Sequence, residues 1–147
     1  MITYVTRLDA AAVDSQAGLL ARESLSTNSR SIQVLLTPAA GVDEVQSSYR
    51  GTNGGNTLSV GFELLPRPSG SSNSWLRLTR QGDLFTAYCN NDGGTNWITT
   101  GVITQAFSTN LFIGLATASK TNGTATVADF TQFTTIGARP GDNVLPT

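Results

Sequence analysis

The chain has 147 residues, 13% of them charged, a formal net charge of −1 and no histidine. So balanced a charge gives no electrostatic reason to expect nucleic acid or an anionic membrane as a partner. The missing imidazole removes the commonest general base and the commonest transition-metal ligand.

The length fits one domain, able to bury about two-thirds of its unfolded surface. The single cysteine, Cys89, has no partner for an internal disulfide. No apolar run reaches the ~18 residues of a membrane-spanning helix. The opening MITYVTRLD lacks the basic and apolar regions of a signal peptide. Eight arginines stand against one lysine, a bias that reads either as planar-fork surface recognition or as composition drift.

In chain order, residues 2–8 set Ile2, Tyr4, Thr6 and Leu8 against Thr3, Val5 and Arg7, which is strand-like. Residues 9–16 form a loop, 17–25 a strand, 31–37 a second and 42–50 a third. Residues 57–65 alternate Leu58, Val60, Phe62 and Leu64 with polar or small residues, a period of two. Residues 66–74 (PRPSGSSNS) form the longest loop, too short for a domain linker. Residues 102–107 lead into 111–119 (LFIGLATAS), apolar on both faces and therefore expected as a central strand. Residues 124–135 are the last strong strand, and 137–147, with two prolines and two glycines, an irregular tail. Nine or ten short strands separated by Gly, Ser and Asn turns predict an all-β antiparallel β-sandwich over residues 1–136.

The densest stretch is 75–101, which holds both tryptophans and Cys89. A two-residue hairpin turn at Gly82-Asp83 pairs Leu78 with Ala87, Leu76 with Cys89, Arg77 with Tyr88 and Thr79 with Thr86. A one-residue slip would exchange the faces. Leu76, Leu78, Phe85, Ala87 and Cys89 then face the core, and Trp75, Arg77 and Tyr88 face outward. Sugar rings stack on such aromatic planes, and a guanidinium bonds hydroxyls or a carboxylate. The alternative is a cross-strand cation–π pair that only stabilises the sheet. Residues 90–97 (NNDGGTNW) resemble a degenerate Asp-box, in which Asp92 caps the turn and Trp97 packs over it. Asp92 with neighbouring carbonyls is also a conceivable cation site, though the expectation is no metal and no cofactor.

Four segments in order, AGLLARESLSTNSRSIQVLLTP, SSYRGTNGG, WLRLTRQGDLFTAYCNNDGGTNW and FIGLATASKTNGTATVADF, resemble a bacterial concanavalin A-like domain of unknown function, often labelled "regulation of enolase protein". The match runs over about residues 17–130. It implies a concanavalin A-like jelly roll in an extracellular or cell-surface bacterial protein. Two departures stand out: Cys89 replaces an aromatic, and the family's N-terminal strands are missing from this stretch. The resemblance therefore also implies a sheet edge left uncovered, to be paired by other elements or by another chain.

Three functions compete. A non-catalytic carbohydrate-binding module would use Trp75, Arg77, Tyr88, Tyr49 and Arg50. A structural or adhesive subunit would self-associate through its sheet edges, with strand exchange. A glycoside hydrolase needs two carboxyls about 5–9 Å apart. The chain has three glutamates, of which only Glu44 and Glu63 suggest a pair, and the E-x-D-x-x-E spacing of concanavalin A-like hydrolases is absent. The expectation is a binding module with a glycan partner, no enzymatic activity and no catalytic residues.

Overall fold

The structure, a computed structural model, describes residues 1–9, 14–38, 42–65, 73–91 and 95–135. The expected tail over 137–147, most of the loop over 66–74 and the Asp92 turn lie outside the described residues. Ten strands are present: β1 (Ile2–Leu8), β2 (Gln16–Arg22), β3 (Ser31–Pro38), β4 (Asp43–Arg50), β5 (Leu58–Leu65), β6 (Ser74–Gln81), β7 (Leu84–Asn90), β8 (Ile98–Thr104), β9 (Phe112–Ala118) and β10 (Ala128–Thr134). They form two five-stranded antiparallel sheets, a front sheet ordered β10-β1-β6-β7-β8 and a back sheet ordered β5-β4-β3-β2-β9. No helix of the described residues is long and apolar enough to cross a membrane.

The core between the sheets follows from alternation. Val5, Leu76, Leu78, Phe85, Ala87 and Cys89 come from the front, and Leu19, Ala21, Ile32, Val34, Leu36 and Val45 from the back. The β6–β7 hairpin has the expected register, from Trp75 opposite Asn90 to Thr79 opposite Thr86. Gly82 sits at φ 61°, the left-handed conformation that the turn requires.

Bulges, each an extra residue that swaps the faces beyond it, break the alternation in several strands. In β1 a shift between Val5 and Arg7 lets both Val5 and Leu8 point inward. In β5 the pairing with β4 skips Val60, going from Ser48–Ser59 to Ser47–Gly61. The period-of-two set of 57–65 therefore does not share one buried face. Val60 packs on the core, while Phe62 and Leu64 are exposed.

Among the described residues the sandwich is closed along one flank only. There the outer strands β5 and β8 meet through glycines: a Cβ on Gly61 would run into the Thr100 carbonyl oxygen, and one on Gly101 would lie 2.8 Å from Ser47 Cβ. Beside them Ser47 Oγ and Thr100 Oγ1 share a buried hydrogen bond of 2.6 Å. The opposite flank ends in β10 and β9. The sequence pattern of 111–119 implies a central strand, but β9 is the edge of the back sheet, and its apolar residues are exposed for want of a neighbour among the described residues.

Candidate functional site

Outward-pointing residues of the front sheet alternate with the core set, and five half-exposed side chains gather there: Tyr4, Trp75, Arg77, Tyr88 and Trp97. Strand pairing places them. Tyr4 on β1 lies opposite Trp75 on β6, and Arg77 on β6 lies opposite Tyr88 on β7. Trp97 enters from just before β8. The Tyr4 and Trp75 rings have centroids 4.9 Å apart at 39°. The Arg77 guanidinium carbon is 4.2 Å from the Tyr88 ring centroid and 4.4 Å from that of Trp97. Tyr88 and Trp97 meet edge to face at 6.5 Å.

Arg77 is therefore held by ring faces. Its Nε is buried with no hydrogen-bond partner. No carboxylate among the described residues pairs with it. Such a guanidinium keeps donors for a hydroxyl or an anionic oxygen. Beside it the Met1 amine donates to the Leu78 carbonyl oxygen at 2.8 Å. Burial, and then the positive charge of Arg77, hold that amine below its ordinary value of 8.0.

Trp75, Arg77 and Tyr88 are thus brought together, and two partners come with them that sequence reasoning left out. Tyr4 carried a signal, since a bulge-free alternation from Val5 sends it outward. Trp97 carries none, because an Asp-box turn packs its tryptophan over the turn. Here its ring belongs to the Arg77 cluster.

Tyr49 and Arg50 lie on β4 of the back sheet, away from this face. Tyr49 points inward, pairs with Ile32 and Leu58 and packs against the core. Arg50 donates to the Thr27 carbonyl oxygen at 2.9 Å and so ties down the β2–β3 loop.

Other arginines also tie loops. Arg30 bonds Glu23 Oε1 at 3.2 Å, the Gly51 carbonyl at 2.7 Å and the Ala106 carbonyl, and lies over the Phe107 ring at 4.4 Å. Glu23 in turn accepts from the Ser108 amide at 2.7 Å. Arg80 donates to the carbonyls of Gly82, Phe107 and Ser108. Much of the arginine bias is thus spent on carbonyls of four connections between strands. Glu44 lies opposite Leu64, and Glu63 opposite the inward-facing Val45. The two carboxylates sit on opposite faces of the back sheet, so they do not form a pair across a cleft.

No family model matches the chain, and no curated protein matches it. Among solved structures it is similar to the GH43 BlXynB protein from Bacillus licheniformis, with a TM-score of 0.63 and 16% identity over 88% of this chain and 26% of that one. The likeness is one of fold. The match spans about a quarter of that protein's chain, and the concanavalin A-like resemblance rests on the quoted segments alone.

Proposed function

We propose that the chain is a non-catalytic module that binds carbohydrate on the outer face of its front sheet, as part of an extracellular or cell-surface bacterial protein. The observation that carries this reading is the cluster itself: four aromatic rings and an arginine without a carboxylate partner among the described residues, all half-exposed on one sheet face. Sugar C–H faces stack on indole and phenol rings, and Arg77 would donate to ring hydroxyls or a sugar carboxylate. The GH43 neighbour supports a carbohydrate-related role. The separation of Glu44 from Glu63 supports the non-catalytic part, because glycoside hydrolysis needs two carboxyls facing one bond. The surface location rests on the family resemblance.

The test is a glycan microarray probed with the native chain, Trp75→Ala and Arg77→Ala. The expected result is retention on a defined set of glycans, weakened roughly tenfold or more by either substitution, as for a truncated binding hot spot. Failure to retain any glycan, or unchanged retention by Trp75→Ala, overturns the proposal.

A further inference from the structure

The four sheet edges are not alike. Those of β5 and β8 are packed against each other through Gly61 and Gly101. That of β10 is irregular: its pairing with β1 carries two register shifts, Gln132 is left-handed at φ 57°, and Asp129 puts a charge on the strand. Bulges, charges and covering are the devices that stop a sheet edge from recruiting another strand.

Among the described residues, β9 has none of them. It pairs with β2 through seven consecutive residues without a shift, from Phe112 opposite Arg22 to Ala118 opposite Gln16. Its sequence, FIGLATA, holds no charge and no proline. Its apolar residues are open: Phe112 is 53% exposed, Ile113 46% and Leu115 41%. Ile113 and Leu115 lie opposite Ala21 and Leu19, so they point into the space between the sheets and are still half bare. Among the described residues, no strand lies beyond β9.

We infer that β9 is a self-association edge and that its partner is β9 of a second copy, paired antiparallel across a twofold axis at Leu115. The strand is complementary to itself in that register. Leu115 meets Leu115 on the axis, and Ile113 meets Thr117 on the inner side. Phe112 meets Ala118 and Gly114 meets Ala116 on the outer side, large against small. No like charges are opposed, because the strand carries none. A twofold contact of this kind closes at two copies. It joins the back sheets into one of ten strands, and each copy's inward Ile113 and Leu115 cover the other's open flank. This inference does not depend on carbohydrate binding.

Light scattering and sedimentation of the native chain at up to about 0.1 mM, enough to saturate a micromolar association, should give a dimer that dissociates on dilution. Leu115→Lys, which sets two ammonium groups on the axis, and Thr117→Lys, at an exposed position facing Ile113, should both be folded monomers by circular dichroism. Leu115→Cys should form a disulfide dimer under mild oxidation. Opposed antiparallel Cα atoms lie about 4.5–5.5 Å apart, inside the roughly 4.4–6.8 Å range of a disulfide. Ala116→Cys, offset from its copy, should not. Cys89 is buried in the core and gives no background. A native monomer at every concentration, open polymers, a dimer that survives both lysines, or no link through Leu115→Cys would each overturn the inference.

Discussion

Arg77 lies over two rings of the candidate site, Tyr88 and Trp97, and no carboxylate among the described residues pairs with it. Desolvated cation–π contacts are worth about 0.5–2 kcal/mol. Arg77→Ala should lower unfolding stability in urea by that amount, and Arg77→Lys should recover only part of it, since an ammonium lacks the planar face that stacks on Tyr88 and Trp97. Equal stability of the alanine variant would mean that the cluster does not hold the sheet. Arg77 beside Tyr88 is legible in the sequence because a two-residue turn sets the register of a hairpin. Tyr4 and Trp97 are not, because they arrive from strands whose neighbours are decided by the whole sheet. Tyr49 and Arg50 fail as members of the site for the same reason: residue type suggested recognition, and strand order put them on the other sheet.

Among elements, those whose pattern is purely local are legible in the sequence, and the facing of residues beyond a bulge, or the place of a strand at an edge, is not. The β6–β7 hairpin is the first kind. β5 is the second, since one bulged residue, Val60, moves Phe62 and Leu64 to the solvent side. The closed flank gives a sharp prediction. Gly61→Ala has no room against the Thr100 carbonyl and should cost about 1–3 kcal/mol, as overpacking does, whereas the turn-side Gly54, whose Cβ would meet nothing, should resist substitution only through its φ of 70°. The tied loops give another. Glu23 is half-buried and joins Arg30 to the Ser108 amide, so Glu23→Ala should cost about 1–3 kcal/mol in urea unfolding by leaving those groups without their acceptor.

Among the described residues the whole molecule is a sandwich shut along one flank by glycines and open along the other, with its aromatic face on the front sheet. It also carries, among the described residues, one pH-sensitive group of known direction. The Met1 amine is held below 8.0 in the folded chain, so across the window from that lowered value up to 8.0 the unfolded chain binds more protons. Stability therefore rises with pH through that window, and the penalty is complete below it. The urea midpoint should be higher at about pH 9 than at about pH 6, and N-terminal acetylation should flatten the difference. With no histidine in the chain, no imidazole confuses the reading. On the proposed function, carbohydrate docks on the outer face of the front sheet. The chain has two tryptophans, and both lie on that face, so two indole N–H signals report on it directly. Titration of the isotopically labelled chain with an oligosaccharide retained on the array should move both indole signals and the Arg77 Nε–H together. Shifts confined to the back sheet, with the indoles unmoved, would contradict it.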